Sequence, residues 1–463
     1  MNLNERIEKM KDEIIKSTQE IIRIKSVKDE PKENMPFGEG IYKCLQYALN
    51  LSKSFGFKTK NIDNYAGHAE FGNGDEVVGI LVHLDVVPEG DNWTYPPYGS
   101  EIHDGKIYGR GAIDDKGPAI AALYAMKALK DSGIKLNKKI RIIFGTDEES
   151  GWKGIEYYLK HEKAPDLAFT PDADFPAING EKGILIFDLN KNFQKNSDNN
   201  NGVKIIKIKG GNRPNMVPDY CEAHLIYNES LKEKIDKYSK ENNVKLELIE
   251  NNNEKIIKSF GISSHGSLPE SGQNAISQLM VFLGTLNLSK REIADFIKFY
   301  NDKIGMEYYG QSIGCGFEDE ESGKLIFNVG IIDLNENRVK LSVNVRYPIT
   351  NTQDDVLTGI EKELIDTGIV LNLHEHMAPI YIPKDHDLIK KLMNVYKNFT
   401  GDEREPITIG GGTYARAIKN AVAFGPLFPG EPELAHQKDE YISIENLIKI
   451  TKIYAHALYK LAK

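Results

Sequence analysis

The chain has 463 residues, of which 40% are hydrophobic and 27% charged, as is typical of a globular protein with two or three folding units. Its 59 Lys and Arg against 68 Asp and Glu give a formal net charge of −9, which argues against nucleic-acid binding because such proteins present basic surfaces. No run of about 18 apolar residues occurs, so we expect no membrane contact. The amino-terminal segment lacks the apolar core of a signal peptide, and the three cysteines form no CxxC pattern, so we expect a cytoplasmic protein.

The first third of the chain alternates predicted helices and strands. Apolar residues at helical spacing predict an amino-terminal helix, and a second helix is expected over about 40–54. The segment VVGILVHLD (77–85) is apolar on both faces, which indicates a central strand covered on both sides. A helix over 119–132, a strand over 139–145, a helix over 151–162 and a strand over 166–173 follow. Such alternation with short connections predicts an α/β layer with partly parallel strand order.

After residue 183 the pattern changes to alternating apolar and polar residues, which predicts antiparallel strands with one covered face. The polar segment 196–202 is short enough to form a hairpin tip. Helical stretches near 229–242 and 274–304 are mixed with these strands, and the early and late parts of the region suggest two similar halves. We predict an α/β fold in which a discontinuous domain of residues 1–183 and 380–463, with a central mixed, largely parallel sheet flanked by helices, carries an inserted α+β domain of residues 184–379.

Acidic residues and histidines gather at the ends of the predicted strands. They are His83 and Asp85, Asp114 and Asp115, Glu148 and Glu149, Asp172 and Asp174, and, after the last predicted strand, His436. Ligands in such sheets bind beyond the carboxyl ends of the strands, so these side chains can converge in one crevice. Histidines and carboxylates without cysteine suit Zn²⁺, Mn²⁺ or Co²⁺. Each motif alone has an ordinary explanation, such as a solvated turn, but together they predict a metal site.

Several segments carry a family resemblance. Five segments resemble the metal-site motifs of the co-catalytic dizinc metallopeptidases, which include aminoacylase, glutamate carboxypeptidase and succinyl-diaminopimelate desuccinylase. These segments are HLDVVPEGDNW, GKIYGRGAIDDKGP, TDEESG, FTPDADFPAINGEKG and ELAH. Within that group, the chain is most similar to the PepV-type dipeptidases, which are also described as Xaa-His or carnosinase-like dipeptidases. The segments that carry this similarity are PDADFPAINGEKG, GISSHGSLPESGQNA and IGGGTYAR. The resemblance implies that the discontinuous domain is catalytic and that the insert is a lid.

The resemblance also implies two divalent metal ions per chain, zinc first and manganese or cobalt as alternatives. The implied ligands are His83, Asp114, Glu149, Asp172 and His436. Asp114 would bridge the ions, His83 and Asp172 would complete one site, and Glu149 and His436 the other. Asp115 is a possible alternative to Asp114, but the motif places the bridging residue first in the pair.

Three further residues take catalytic roles by the same resemblance. Glu148 would be the general base, and Asp85 would hold His83 in the tautomer that binds metal. His265, in GISSHGSLPE, would stabilise the oxyanion of the tetrahedral intermediate. The insert is larger than that of dimeric relatives, in which a neighbouring chain supplies this histidine. We therefore expect His265 to act within its own chain and a monomer to be active.

Candidate substrate-binding residues come from both parts of the chain. Arg346 ends a predicted strand of the insert, and its planar guanidinium suits a carboxylate, which the resemblance identifies as the carboxyl terminus of a dipeptide. Asn215 and the glycines Gly411 and Gly412 are expected to line the same pocket, since glycines let main-chain N–H groups approach an anion closely.

Three functions remain open on the sequence. A dipeptidase acting on dipeptides with a free amino terminus is favoured by the long insert and by PDADFPAINGE. An N-acyl-amino-acid amidohydrolase, such as a deacetylase or desuccinylase, would use the same metal ligands. A non-catalytic metal-dependent binding protein is disfavoured by Glu148. Phosphate binding at Gly109–Arg110–Gly111 is also disfavoured, because the segment matches neither GxGxxG nor GxxxxGK[ST].

Overall fold

The computed structural model describes residues 2–194 and 202–463, and these form two compact units. The first unit comprises Met1–Asn179, Ile382–Ile407 and Gly412–Lys463, and the second comprises Gly180–Tyr381 and Thr408–Gly411. The division falls a few residues from the expected limits of the insert at 184 and 379. The short segment Thr408–Gly411 joins the second unit, where the N–H of Lys182 donates to the carbonyl of Ile409. The predicted hairpin tip at 196–202 lies outside the described residues except for Gly202.

The helices and strands of the described residues are as follows. The helices are α1 (Leu3–Lys9), α2 (Lys11–Ile22), α3 (Glu39–Ser54), α4 (Lys116–Ser132), α5 (Lys153–His161), α6 (Lys232–Asn242), α7 (Ala275–Leu283), α8 (Arg291–Lys303), α9 (Gln353–Leu364), α10 (Asp387–Thr400) and α11 (Ile444–Ala462). The strands are β1 (Lys58–Ile62), β2 (Ala66–Phe71), β3 (Val77–His83), β4 (Ile102–His103), β5 (Lys106–Tyr108), β6 (Lys139–Gly145), β7 (Leu167–Thr170), β8 (Ala173–Asp174), β9 (Ala177–Glu181), β10 (Gly183–Asn192), β11 (Lys204–Gly210), β12 (Tyr220–Ile226), β13 (Lys245–Asn251), β14 (Glu254–Phe260), β15 (Glu318–Asp319), β16 (Gly323–Lys324), β17 (Ile326–Asn335), β18 (Arg338–Tyr347), β19 (Val370–Met377), β20 (Ile380–Tyr381), β21 (Ile407–Ile409), β22 (Ala421–Phe424), β23 (Pro426–Leu427) and β24 (Tyr441–Ser443).

The main sheet of the first unit is mixed, as predicted. Its strand order is β1-β2-β6-β3-β7-β22-β9. The central strands β6, β3, β7 and β22 are parallel neighbours, and β1, β2 and β9 pair in antiparallel fashion. Every residue of β3 is buried, which agrees with its apolar sequence. The parallel centre therefore brings the carboxyl ends of β3, β6 and β7 to one edge.

Helices provide most of the core around this sheet. Helix α4 packs against α2 and α11, and its apolar residues Ile120, Leu123 and Met126 are fully buried. It ends at Gly133, whose φ of 71° is in the left-handed region that favours glycine at a helix terminus. No helix within residues 2–194 and 202–463 is both long and apolar enough to cross a bilayer.

The second unit contains an antiparallel sheet built from two similar halves, as predicted. Its strand order is β13-β14-β12-β11-β17-β18-β10-β19. Each half contains a hairpin, a helix and a returning strand, namely β11–β12–α6–β13 in one half and β17–β18–α9–β19 in the other. The halves meet where β11 pairs with β17. Helix α7 packs against β12, β14 and β17, so it covers one face of the sheet near this junction.

Two predicted helical stretches are divided in the structure. The amino-terminal helix is interrupted at Met10, whose φ of −93° and ψ of 4° separate α1 from α2. Ile7 and Ile14 on either side are nevertheless both buried, so the apolar face continues across the break. The stretch over 274–304 forms α7 and α8, with a connection that contains Gly284.

Candidate active site

The loops that follow three parallel strands carry the first group of candidate ligands. His83 is the last residue of β3 and lies opposite Gly145, the last residue of β6. Glu148 and Glu149 come three and four residues after β6, and Asp172 comes two residues after β7. Because these strands are parallel neighbours, residues far apart in sequence reach the same edge.

Asp114 lies between two histidines. Its Oδ1 is 2.9 Å from His83 Nε2 and its Oδ2 is 3.1 Å from His436 Nε2. The side chain of Asp115 has a different contact, since its Oδ2 accepts a hydrogen bond of 3.1 Å from the main-chain N–H of His83. The geometry therefore makes Asp114, rather than Asp115, the carboxylate that presents one oxygen to each histidine.

Two further carboxylates complete a set of side chains around each histidine. Asp172 Oδ1 is 3.8 Å from His83 Nε2, and Glu149 Oε2 is 3.0 Å from His436 Nε2. Ligand atoms of His83, Asp114 and Glu149 all lie within 4.8 Å of one another. A second group within the same distance contains His83, Glu148 and Asp172, so Glu148 is also adjacent to the candidate metal ligands.

The ring of His83 is oriented for metal binding. Its Nδ1 is 2.9 Å from the main-chain carbonyl oxygen of Asp85, so this nitrogen carries the proton and donates. The side chain is only 1% exposed, and among the described residues its Nε2 has no hydrogen-bond partner. This nitrogen lies 2.9 Å from Asp114 Oδ1 and 3.8 Å from Asp172 Oδ1. An unbonded imidazole nitrogen facing carboxylates fits a divalent cation.

Asp85 takes part in three hydrogen bonds rather than the single contact expected. Its carbonyl orients His83, whereas its carboxylate Oδ1 is 3.6 Å from His83 Nδ1. The carboxylate oxygens instead accept hydrogen bonds from the main-chain N–H groups of Glu148, at 3.1 Å, and Glu149, at 3.0 Å. Asp85 therefore connects the His83 strand end to the loop with the tandem glutamates.

The pKa values reflect an excess of buried negative charge. Burial, followed by the charges of Asp172 and Glu149, raises the pKa of Glu148 well above its usual value, although His83 opposes the shift. Burial also raises the pKa of Asp172 and Glu149. Partial burial disfavours the charged form of His436, whose side chain is 52% exposed, but hydrogen bonds with Asp114 and Glu149 outweigh this effect and raise its pKa to about 11. Bound cations would relieve this repulsion between carboxylates.

Two of the candidate substrate residues, Asn215 and Arg346, belong to the second unit together with His265. The N–H of Gly266 donates to the carbonyl of Asn215 at 2.8 Å, which joins the loops of His265 and Asn215. Arg346 Nη1 donates to the carbonyl of Gly410 at 2.9 Å. A Cβ placed on Gly410 would lie 2.9 Å from Ser267 Cβ, so this glycine approaches the His265 loop closely.

Arg346 is 5% exposed, and its Nε donates to Asn344 Oδ1 at 2.9 Å. Of the two candidate glycines, Gly411 belongs to the second unit and Gly412 to the first.

Comparison with known proteins decides the family. Residues 79–460 match the description "Peptidase family M20/M25/M40". The chain belongs to this family. It is 42% identical over its whole length to the whole of "Putative dipeptidase YtjP" from Bacillus subtilis. Its fold is similar to that of human carnosine dipeptidase 1, with a TM-score of 0.61, 17% identity and coverage of 99% and 98% of the two chains. Its fold is also similar to that of the aminoacylhistidine dipeptidase from Vibrio alginolyticus, with a TM-score of 0.60 and 13% identity. That match covers 97% of this chain and 96% of the other.

Membership of the M20 peptidases confirms the resemblance and the predicted enzyme class. The protein is a hydrolase that acts on peptide bonds, and its substrates are peptides. The family uses divalent metal, which agrees with the histidine and carboxylate groups described above.

Sequence analysis did not identify two charged residues beside the candidate ligands of this M20 peptidase. Arg110 and Glu440 are both buried, and they form an ion pair of 2.7 Å next to the Asp114 loop. The only sequence signal was their position, because Arg110 is four residues before Asp114 and Glu440 is four residues after His436. Tyr414, in the IGGGTYAR motif, is also buried, and its ring centroid is 6.2 Å from that of His83.

Proposed function

We propose that the protein is a dipeptidase that uses two divalent metal ions, zinc in the first instance. The observation that carries this proposal is the Asp114 carboxylate, with one oxygen near His83 and the other near His436. Asp172 would complete one site and Glu149 the other, so that each ion has three protein ligands and an open position. When bound, such ions lower the pKa of a water molecule and polarise the scissile carbonyl.

Glu148 is proposed as the general base. Its main-chain N–H donates to Asp85, and burial together with the charge of Asp172 raises its pKa, which increases the affinity of this carboxylate for the proton of water. The Glu148 carboxylate takes the proton of the attacking water and delivers it to the nitrogen of the leaving amine. Glu149, one residue later, lies against His436 and is proposed as a ligand instead.

His265 is proposed to stabilise the oxyanion. The N–H of Ser267 donates to His265 Nδ1 at 3.3 Å, and Ser267 Oγ is 2.6 Å from the same nitrogen. Because Nδ1 accepts, the neutral imidazole carries its proton on Nε2. That Nε2–H is the kind of donor that a developing oxyanion requires. We propose that it acts within its own chain.

Arg346 is proposed to bind the carboxyl terminus of the dipeptide. A buried guanidinium held by Asn344 and by the carbonyl of Gly410 is fixed in orientation, which favours bidentate recognition of a carboxylate. Asn215 and Gly411, which belong to the same unit as Arg346, are proposed to line the same pocket, and Gly412 is proposed as a further substrate-binding residue. This assignment favours small substrates with a free carboxylate.

Substrate assays separate the dipeptidase from an N-acyl-amino-acid amidohydrolase. We expect the zinc- or manganese-loaded protein to hydrolyse Ala-Xaa and β-Ala-Xaa dipeptides and to leave N-acetyl and N-succinyl amino acids intact. Amino-terminally acetylated and carboxyl-terminally amidated forms of the same dipeptide serve as matched controls, and both should react more slowly. Hydrolysis of acylated amino acids alone would contradict the proposal. Metal analysis of protein purified without added metal tests the choice of zinc.

We further propose an active monomer in the cytoplasm, where the three buried, unpaired cysteines would stay reduced. Sedimentation at the assay concentration should show one chain per active particle. Mixing Glu148→Ala with His265→Ala protein should restore no activity, since both residues act in the same chain. Activity confined to dimers, or restored by mixing, would contradict this proposal.

A further inference from the structure

A buried ion pair joins the two irregular segments that carry Asp114 and His436. Arg110 Nη1 lies 2.7 Å from Glu440 Oε2, and neither side chain is more than 3% exposed. Arg110 precedes Asp114, and Glu440 follows His436, so the pair connects segments that are 330 residues apart in sequence. Neither residue is among the candidate ligands.

Glu440 holds the main chain of the Asp114 segment. Its Oε2 accepts a hydrogen bond of 3.1 Å from the N–H of Gly111. Its Oε1 accepts from the N–H of Ile113 at 2.9 Å and from the N–H of Asp114 itself at 3.2 Å. One carboxylate therefore fixes three amides of the loop that places the bridging aspartate.

Arg110 holds the other segment. Its Nη2 donates to the carbonyl of His436 at 3.2 Å, and its Nη1 donates to the carbonyl of Gln437 at 3.1 Å. The planar guanidinium thus contacts Glu440 and the main chain of His436 at the same time, an arrangement that a single ammonium group cannot reproduce.

Stability alone does not explain such a pair. Removing two charges from water is costly, and buried ion pairs are often no more stabilising than apolar residues of the same size. The contacts of this pair instead go to the main chain of two proposed metal ligands. We propose that Arg110 and Glu440 are a positioning pair that sets the distance between Asp114 and His436 before metal binds, an inference that rests on the proposed two-metal site.

The hydrogen bonds of Glu440 and Arg110 predict a different effect on metal affinity for the loss of each residue. Glu440 accepts a hydrogen bond from the N–H of Asp114, which would be shared by both ions, so its loss should weaken both metal sites. Arg110 bonds to the carbonyl of His436, which belongs to one site, so its replacement by lysine weakens that site more than the other.

The test measures metal binding rather than activity. Full-length metal-free wild type, Glu440→Gln and Arg110→Lys are titrated with Co²⁺ against a competing chelator, and the visible absorption spectrum of the bound Co²⁺ is recorded. The thermal midpoint of each metal-free protein reports folding separately. Glu70→Gln is the matched control, because Glu70 forms a similar buried pair of 2.7 Å with Arg141 that contacts none of the candidate ligands through any described hydrogen bond.

We expect Glu440→Gln to lower both Co²⁺ affinities by roughly 10–100-fold and to change the spectrum. Arg110→Lys should lower one affinity by a similar factor, and Glu70→Gln should change neither. Wild-type affinities and spectrum in Glu440→Gln, or an equal loss in Glu70→Gln, would overturn the proposal. If metal-free Glu440→Gln fails to fold, Arg110→Lys decides by the same readouts. A wild type that binds only one ion would contradict the two-metal function instead.

Discussion

The two units differ in the charge of their candidate functional groups and in the kind of sheet that positions them. In the first unit, parallel strands end at one edge, and carboxylates and histidines from distant parts of the sequence meet there. In the second unit, an antiparallel sheet brings donors together across neighbouring strands. Arg346 bonds to Asn344 on the same strand, and Asn328 lies opposite Asn344 on the next strand.

Asn328 also shows how the second unit fixes a loop. Its amide nitrogen donates at 2.9 Å to the carbonyls of Pro214 and Met216, which flank Asn215. The first unit thus collects carboxylates and histidines, and the second collects hydrogen-bond donors. We therefore expect metal binding and substrate recognition to be separable by mutation.

Glu148→Gln is expected to have the largest effect. Without a base to accept the proton of water, kcat should fall by roughly 10²–10⁴-fold, while two ions per chain remain bound. Glu149→Gln is the control, and it should lose metal because Glu149 is a proposed ligand. Elemental analysis and steady-state kinetics measure both effects. Loss of metal in Glu148→Gln would make Glu148 a ligand, which its closeness to His83 and Asp172 would permit.

His265→Ala should have the next largest effect, and it should lower kcat without changing metal binding. Loss of one oxyanion donor is expected to lower kcat by about 10²–10³-fold, with metal content unchanged. Ser267→Ala removes the hydroxyl near His265 Nδ1 but keeps the main-chain donor, so its effect should be smaller. An unchanged kcat in His265→Ala would show that the second unit does not supply this donor.

Arg346→Lys should have the smallest of these effects. Lysine keeps the charge but loses the planar pair of donors, so KM for a dipeptide should rise about tenfold, with little change in kcat. The amidated dipeptide lacks the carboxylate, so wild type and variant should have the same KM for it. A KM that rises equally for both substrates would remove Arg346 from carboxylate recognition.

The candidate ligands could be predicted because their signals are local. Each lies just after an apolar strand or inside a motif, and parallel strand order is enough to bring His83, Glu149 and Asp172 together. Arg110 lies inside the motif GKIYGRGAIDDKGP, but an arginine is not a metal ligand, and Glu440 lies outside the quoted motifs. Both residues occur in polar segments that look exposed in the sequence, and only tertiary packing buries them.

The fold was predictable to a similar degree. Alternating strands and helices indicated the mixed sheet, and the helix expected over 119–132 ends at Ser132, the last residue of α4. The break at Met10 and the connection after Leu283 were not foreseen, because apolar spacing continues across both. The main-chain contact of Asp85 with His83 was also beyond sequence reasoning, since a carbonyl has no residue-specific signal.

Anomalous diffraction at the zinc absorption edge, from crystals of the zinc-loaded protein, tests the central claim most directly. If two ions share Asp114, we expect two peaks about 3.5–4 Å apart, one on each side of the Asp114 carboxylate. One peak should lie within bonding distance of His83 and Asp172, and the other within bonding distance of Glu149 and His436. A single peak, or two peaks that do not share Asp114, would contradict the account.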